Sequence, residues 1–387
     1  MYDHTIICGI LVLCFACQSC DRMDLFYAIL LLYTFFKLLK PDSNRIRLYL
    51  LNVDGINESL YVDTFLAGQN AIFMLDTGYA GPPVLSSSYL ALNANILPDM
   101  SFENKVMNIK RRLSEGVSED EQFRAIHRLL SNDECVAYTS GCTMKLMSIG
   151  ATMEQQADML MCNMLKLRNT NGFYVAPKWK KKSNADVFVT HSLPNSVHIL
   201  TCDFLMHSTP CIISFQNLTL KMNMSISETS MAISFFTRLP FEMSGGAFVV
   251  PIWVGGVQMR CTVDTGAPGP ISLGLNAIQR MKTCKYDSSG RHSLRQTGVN
   301  GESICSEIIS AKVVFCGHEF ESFPIMINNK DVDQVDGYVG LGFLRGFDIL
   351  ILENSIGFYR NMMQVRSFSD YAKFAHKKGC DINLPCS

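Results

Sequence analysis

Two short segments of the chain each carry an aspartate at the end of an apolar run, followed directly by threonine and glycine. Asp76 follows residues 73–75, and Asp264 follows residues 261–263, 188 positions further along the chain (264 − 76). An unpaired carboxylate is costly to bury, so an aspartate repeated in this setting needs a chemical or structural reason. Two carboxyls held together share a proton and can serve as a general acid and a general base.

The segments around the two aspartates repeat one another. Residues 71–85 (AIFMLDTGYAGPPVL) and 257–273 (VQMRCTVDTGAPGPISL) share an apolar approach, the Asp-Thr-Gly, a Gly-Pro turn and a return to apolar residues. One such tripeptide is compatible with a simple Asx-type turn. A matching pair within matching surroundings indicates a duplicated unit with a shared role.

Further similarities follow each aspartate. Residues 198–205 (HILTCDFL) match residues 337–344 (GYVGLGFL), and residues 141–162 more weakly resemble residues 301–327. Short β-rich runs and glycine-containing turns dominate these stretches, which predicts that each half is a mostly antiparallel β lobe. The first half carries insertions, including a charged stretch at 103–134 that predicts a helix or a mobile loop.

The paired Asp-Thr-Gly segments, together with the later Tyr338-Val339-Gly340, resemble the aspartic peptidases of the pepsin and retropepsin superfamily. The resemblance covers roughly residues 60–361. It implies a mainly β protein of two pseudo-symmetric pepsin-like or retropepsin-like lobes, each of which supplies one carboxylate.

The resemblance also implies roles for individual residues. Asp76 and Asp264 would be the catalytic pair, and Gly78 and Gly266 would let their two turns approach closely. No metal and no cofactor are implied. The expected substrate is a polypeptide in an extended conformation, and because one chain supplies both carboxylates the protein is expected to be a monomer.

Supporting roles in the family fall on the neighbouring threonines and on a flap. Thr77 and Thr265 would interlock beneath the carboxylates. A β-hairpin flap would close over the substrate and exclude water. The flap candidates are residues 135–145, which include Tyr138, and residues 296–306.

The sequence departs from the pepsin pattern at several positions. Tyr79 and Ala267 follow the two glycines where pepsin-like enzymes place serine or threonine, and Ala267 matches the retroviral branch. Thr201 stands where the second half has Gly340, which predicts altered packing beneath the first active-site turn. An active endopeptidase is the principal hypothesis, and a catalytically degenerate binding or scaffold protein is the alternative.

Composition narrows the possible functions. Of the 387 residues, 34 are Lys or Arg and 35 are Asp or Glu, so overall charge gives no support to a nucleic-acid partner. The 15 cysteines include two overlapping CxxC pairs, Cys14 with Cys17 and Cys17 with Cys20, which lie within the first apolar stretch, and they include no Cys/His cluster with zinc-ligand spacing. A hydrophobic content of 48% argues against global disorder.

The first forty residues predict a signal or membrane-anchor segment. Two apolar stretches, residues 6–20 and 25–39, are each shorter than the roughly 20 residues that span a bilayer comfortably. A buried helix is the alternative. The predicted domains are therefore the membrane segment 1–40, a first lobe 41–240 with insertions, and a second lobe 241–387.

The side of the membrane stays open at this point. Lys37, Lys40, Arg45 and Arg47 flank the second apolar stretch and favour a cytosolic position for that end. Three Asn-x-Ser/Thr sequons favour secretion instead. The sequence predicts a membrane-associated protein of the secretory pathway or of a viral envelope or host membrane, and a viral membrane protein whose β lobes serve assembly is a further possibility.

Overall fold

The computed structural model describes most of the chain beyond residue 43. The described residues are 44–52, 58–66, 69–93, 101–130, 135–148, 151–162, 165–175, 185–190, 198–281, 287–297, 303–328, 334–365, 367 and 369–371. The predicted membrane segment, residues 1–40, lies outside them. Within these ranges, no helix combines the length and the apolar character that crossing a membrane requires.

Strands dominate the described structure, and the prediction of a mainly β protein is confirmed. The strands up to residue 221 are β1 (Arg45–Asn52), β2 (Glu58–Leu66), β3 (Gln69–Asp76), β4 (Val84–Ser86), β5 (Cys135–Ser148), β6 (Ala151–Cys162), β7 (Leu165–Arg168), β8 (Tyr174–Val175), β9 (Ala185–Thr190), β10 (His198–Thr201), β11 (Cys211–Ser214) and β12 (Thr219–Lys221). The later strands are β13 (Thr237–Leu239), β14 (Glu242–Ser244), β15 (Ala247–Val254), β16 (Val257–Val263), β17 (Ile271–Leu273), β18 (Asp287–Thr297), β19 (Ser303–Phe315), β20 (His318–Ile327), β21 (Gly337–Val339), β22 (Phe347–Ile351) and β23 (Ile356–Arg360).

Helices fill the connections between these strands. They are α1 (Ser87–Asn93), α2 (Phe102–Ser114), α3 (Glu119–Leu130), α4 (Cys202–His207), α5 (Ile226–Phe235), α6 (Leu275–Arg280) and α7 (Leu341–Leu344). The charged insertion of the first lobe forms α2 and α3. Ala125, Ile126 and Leu129 of α3 are buried and acidic residues occupy its first turn, so its apolar stripe and the favourable N-terminal charge explain why it is helical.

The described strands form two sheets. The larger has the order β13-β23-β22-β11-β12-β1-β2-β3-β10-β4-β9-β6-β5, with β7 paired to β2 and β8 paired to β7. The smaller has the order β14-β15-β16-β21-β17-β20-β19-β18. Although β22 and β23 follow the smaller sheet in the sequence, they pair within the larger one, so the second half of the chain contributes strands to both sheets.

Strand pairing makes the two halves equivalent. In the first, β3 lies parallel to β10, and β10 lies antiparallel to β4. In the second, β16 lies parallel to β21, and β21 lies antiparallel to β17. The matched segments 198–205 and 337–344 therefore occupy the same place in the two halves, as one strand and the helix that follows it (β10 with α4, β21 with α7).

The weaker match between residues 141–162 and 301–327 is offset by one strand. The order continues β4-β9-β6-β5 in the first half and β17-β20-β19-β18 in the second. The β5–β6 hairpin thus corresponds to β18–β19, whereas the sequence comparison set it against β19–β20. The error arose because alternating β patterns look alike and carry no information about which strands pair.

The two sheets also share an aromatic core. The ring of Phe315, on β19 of the smaller sheet, lies edge-to-face against Phe347 at 5.3 Å and against Phe358 at 4.7 Å between centroids. Phe347 and Phe358 belong to β22 and β23 of the larger sheet. Such pairs stabilise beyond the area that they bury, so these contacts couple the two sheets.

A buried ion pair provides a second connection. Arg345, which follows α7, donates through Nη1 to Glu58 Oε1 on β2, and the two residues are 287 positions apart. Their side chains are only 17% and 6% exposed. Loss of one partner would leave a largely desolvated charge without compensation.

We predict that Arg345→Met lowers the free energy of unfolding by about 3 kcal/mol, because Glu58 is then buried without its counter-charge. Urea denaturation at neutral pH measures the change. The double variant Glu58→Leu/Arg345→Met is expected to recover most of the loss. A single variant as stable as the unsubstituted protein would contradict the prediction.

Candidate active site

The two aspartates lie at the carboxyl ends of equivalent strands. Asp76 is the last residue of β3 and pairs with Thr201 on β10. Asp264 follows β16 directly, and its backbone N–H donates to Val339 O on β21 at 3.0 Å. A parallel neighbour therefore fixes where each apolar strand stops. Both aspartates remain partly exposed, although the residues before them are buried.

A short helix supports each turn from below. The backbone N–H of Cys202, the first residue of α4, donates to Tyr79 O at 3.0 Å. In the second half, the N–H of Leu341, the first residue of α7, donates to Ala267 O at 2.7 Å. The downstream similarity in the sequence thus corresponds to a structural support for each Asp-Thr-Gly turn.

The two threonines join the turns through reciprocal hydrogen bonds. Thr77 N donates to Thr265 Oγ1 at 3.1 Å, and Thr265 N donates to Thr77 Oγ1 at 3.0 Å. Each hydroxyl then donates across the interface, Thr77 Oγ1 to Val263 O and Thr265 Oγ1 to Leu75 O, both at 2.7 Å. Both threonines are buried, so these four bonds satisfy groups that water cannot reach.

Glycine is required on each turn because the opposite carboxyl occupies the space of a side chain. A Cβ atom at Gly78 would lie 2.4 Å from Asp264 Cγ, and one at Gly266 would lie 2.4 Å from Asp76 Cγ. Real Cβ atoms do not approach other atoms so closely. The close approach that the sequence assigned to Gly78 and Gly266 is therefore present in the structure.

Backbone N–H groups of the two turns hold the carboxyls. Gly78 N donates to Asp76 Oδ1 at 2.8 Å, while Gly266 N and Ala267 N donate to Asp264 Oδ1 at 2.9 and 3.0 Å. Asp76 and Asp264 lie close enough for the charge of Asp264 to raise the pKa of Asp76.

The electrostatics of the site favour one proton shared between the carboxyls of Asp76 and Asp264. Burial raises the pKa of Asp76 well above its usual range, and the neighbouring charge of Asp264 raises it further. Burial likewise raises the pKa of Asp264, while the N–H groups of Ala267 and Gly266 oppose that rise. The two carboxyls therefore titrate as a pair in which one remains protonated above the ordinary carboxyl range.

Tyr79 and Ala267 both provide their backbone to the site, but only Tyr79 adds a large side chain. The tyrosine ring is buried in an apolar cluster of the first lobe that includes Tyr61, Met74 and Ile199. Burial raises the pKa of Tyr79, and the nearby Asp76 raises it further. The phenol therefore stays neutral at acidic and neutral pH.

Thr201 in the first half stands at the position that Gly340 occupies in the second half. Its hydroxyl donates to Gly81 O at 2.6 Å and accepts from Phe204 N at 3.4 Å, which caps α4. At Gly340 a Cβ would lie 2.4 Å from Gly269 O. The packing beneath the two turns therefore differs, and the hydroxyl of Thr201 replaces the close backbone contact.

The flap candidates lie in the two equivalent hairpins. Tyr138 is on β5 opposite Leu160. Residues 296 and 297 end β18 and residues 303–306 begin β19, and the residues between them lie outside the described ranges. Among the residues that the structure describes, no three of His, Cys, Asp and Glu lie close enough together to hold a metal ion.

The sequence did not single out His198, a fully buried residue at the start of β10 that pairs with Phe73 on β3. Its Nδ1 accepts from Ser86 N at 3.2 Å, and its ring stacks on Phe73 at 5.0 Å. Burial lowers the pKa of His198 to about 3, so the ring is neutral. The one available signal was that the second half has Gly337 at the matching position, which shows that the first half must fill extra space there.

We predict that Thr77→Val destabilises the protein by about 2–4 kcal/mol, because Thr265 N and Val263 O lose a buried partner. Thr77→Ser, which keeps the hydroxyl, is the matched control and is expected to cost less than half as much. Urea denaturation measures both values. Equal losses for valine and serine would show that the methyl group matters as much as the hydroxyl and would contradict the prediction.

The raised pKa values predict how stability depends on pH. A carboxyl whose pKa is higher in the folded state contributes stability below its unfolded pKa of about 3.9, and that contribution is lost as pH rises through the folded value. The unfolding free energy is therefore expected to fall from acidic to neutral pH. Asp76→Asn and Asp264→Asn should each reduce this fall, because the remaining carboxyl no longer faces a like charge. Urea denaturation at several pH values tests this, and identical slopes would contradict it.

The fold of this chain is similar to that of solved structures, although its sequence is not similar to any curated protein. No protein-family model matches the chain, and no curated protein matches its sequence. Solved structures with a similar fold include a retropepsin-like aspartic protease from Rickettsia conorii, 22% identical over 32% of this chain and 89% of that chain, with a TM-score of 0.26. They also include basic 7S globulin from soybean, 10% identical over 85% of this chain and 96% of that chain, with a TM-score of 0.41. Likeness at this level has no bearing on activity.

Proposed function

We propose that this protein is an aspartic-type endopeptidase of the pepsin and retropepsin superfamily, with Asp76 and Asp264 as its catalytic pair. The observation that carries the proposal is the reciprocal hydrogen bonding of Thr77 and Thr265. It joins the two turns so that two partly exposed carboxyls meet. A structural role would not require this contact, because like charges repel unless a proton is shared.

The chemistry follows from that shared proton. The ionised carboxylate accepts a proton from a water molecule as the water attacks the scissile carbonyl carbon. The protonated partner donates a hydrogen bond to the carbonyl oxygen, and a proton then passes to the leaving amine. Aspartic peptidases are the established example of two carboxyls that divide these roles. The reaction needs no covalent intermediate, cofactor or metal.

The substrate class follows from the arrangement of the hairpins. An extended polypeptide would lie between the two lobes, across Asp76 and Asp264. The β5–β6 and β18–β19 hairpins, which occupy equivalent places, are the proposed flaps, with Tyr138 on the first. Their closure would exclude water other than the reacting molecule. Because one chain supplies both carboxylates, the proposed active form is a monomer.

We place this activity at a membrane, in the secretory pathway or in a viral envelope or host membrane. The proposal rests on the apolar stretches within residues 1–40. The sequons at Asn217 and Asn223 favour an extracytoplasmic position for the lobes. Lys37 and Lys40 favour the opposite side, so the orientation is a separate question from the activity.

A binding or scaffold protein without turnover is the second candidate, and Tyr79 is the residue that favours it. Tyr79 is only 4% exposed, and no serine or threonine follows either glycine to hydrogen-bond the carboxylates. The lobes and the cleft would then serve to hold a peptide. This alternative predicts peptide binding without cleavage.

The deciding experiment is cleavage of a denatured protein mixture by the full chain in detergent between about pH 3 and pH 7, the range in which coupled carboxyls titrate. Asp76→Asn and Asp264→Asn are each expected to lower the rate by about 10²–10⁴-fold, the usual contribution of general acid–base catalysis. Activity should fall on both sides of the optimum, and the raised pKa of Asp76 should shift the alkaline limb towards neutral pH.

Asp120→Asn is the control, since Asp120 is an exposed aspartate on the surface helix α3. It should cleave as fast as the unsubstituted protein. A folded chain that binds peptide but cleaves nothing at any pH would instead establish the binding protein. Cleavage that persists in both asparagine variants would remove Asp76 and Asp264 from the mechanism.

A further inference from the structure

Tyr79 fills space on the first-lobe side of the active-site turns, the side to which Asp76 belongs. Its ring leaves the turn three positions after Asp76. Its phenol oxygen lies beside Gly81, 3.6 Å from the place that a Cβ atom on that glycine would take. Tyr79 shares an apolar cluster with Met74 on β3 and Ile199 on β10, and the three residues are only 4%, 7% and 2% exposed. The walls of a pocket that is open to a ligand are exposed, so this place is already full.

Two further elements close the same cluster from outside. The inserted helix α2 contributes Ile109, and the proposed flap β5–β6 contributes Met144 and Ala157. These three residues are 1%, 1% and 3% exposed. Helix α2 belongs to the connection 94–134, whereas the second half joins α6 to β18 through residues 281–286. The first lobe therefore adds both a large ring and an extra helix at one place.

The equivalent place in the second half carries mostly smaller side chains. The counterparts, taken from the equivalent strands and turns, are Thr262 for Met74, Ser272 for Val84, Ala267 for Tyr79 and Tyr338 for Ile199. Only Tyr338 is larger than its counterpart. Gly266 and Ala267 are partly exposed, whereas Gly78 and Tyr79 are buried. Solvent therefore reaches the second turn where the first turn is covered.

We propose that Tyr79 determines specificity by excluding a large side chain from the first-lobe side of the scissile bond. Successive side chains of an extended polypeptide point in opposite directions, so the residues that flank the bond face different lobes. The first-lobe side would take glycine, alanine or serine, and a large apolar residue would be accepted beside Ala267. The substrate is thus an extended segment that pairs a small residue with a large apolar one. This inference rests on the proposed peptidase function and adds which polypeptides it takes.

The test compares four peptides that differ only at two central positions, which hold Ala-Ala, Ala-Leu, Leu-Ala or Leu-Leu. The full chain in detergent is expected to favour one mixed pair over the other and over Leu-Leu by about 10-fold or more in kcat/KM, since pockets discriminate single methylene groups by that amount. The Leu-Leu peptide meets Tyr79 in whichever direction it lies. Mass spectrometry confirms that the cleaved bond is the central one.

Variants assign the preference to the ring. Tyr79→Ala empties its place, and Leu-Leu should then be cleaved as fast as the better mixed pair. Tyr79→Phe keeps the ring and is the matched control, which should keep the preference of the unsubstituted chain. Ala267→Leu tests the other side in case Tyr79→Ala does not fold, and it should slow cleavage of the favoured mixed pair by about 10-fold. Circular dichroism confirms that each variant is folded.

A binding measurement separates this inference from the proposed function. Fluorescence anisotropy of the same four peptides, labelled with fluorescein, measures their affinity for the Asp264→Asn chain without cleavage. The same order of preference is expected there, and Tyr79→Ala in this background should remove it. If the unsubstituted chain binds the peptides in this order but cleaves none of them, the role of Tyr79 stands and the peptidase function is refuted.

Three outcomes would overturn the inference. The first is Leu-Leu bound and cleaved by the unsubstituted chain as well as the better mixed pair, which would leave the peptidase function intact. The second is a folded Tyr79→Ala chain whose preference is unchanged. The third is a folded unsubstituted chain that neither binds nor cleaves any of the four peptides, which would refute the proposed function as well.

Discussion

The reciprocal hydrogen bonds between Thr77 and Thr265 are the constraint on which the rest of this structure depends. They connect two halves of one chain through four buried bonds, two of them from hydroxyls to carbonyls on the opposite half. Each bond would be costly to leave unmade in an interior without water. The turns therefore have one position relative to each other, and the carboxyls at their tips must meet.

The electrostatic character of the pair is a consequence of that geometry. Carboxyls brought together in a partly desolvated place cannot both ionise. Burial raises the pKa of both, and the charge of Asp264 raises that of Asp76 further. The backbone N–H groups of Gly78, Gly266 and Ala267 work in the other direction by stabilising the charged form. These opposing effects leave one proton on the pair, which is the state that the proposed hydrolysis requires.

The sequence predicted the centre of the site better than its surroundings, and the reason is the range of the interactions. Asp76, Asp264 and their threonines and glycines lie in two contiguous tripeptides, where a repeat is easy to see. The ion pair of Glu58 with Arg345 joins residues 287 positions apart, and no local sequence pattern predicts it. The offset hairpin match had a similar cause, because alternating patterns give strand faces but not strand partners. His198 was missed because only a three-dimensional view shows the space that it fills.

The two halves of the chain differ in sequence and structure outside their equivalent Asp-Thr-Gly turns. At Gly340 the backbone of Gly269 excludes any side chain, whereas at Thr201 a hydroxyl to Gly81 O performs the same support in another way. The insertion that forms α2 and α3 likewise leaves the strand β3 and its parallel partner β10 unchanged. Divergence is thus tolerated outside the turns, since surface additions cost little loop entropy. It is not tolerated at Gly78 and Gly266, where a single methyl group would collide with the opposite carboxyl, and this is why the symmetry of the chain survives most clearly there.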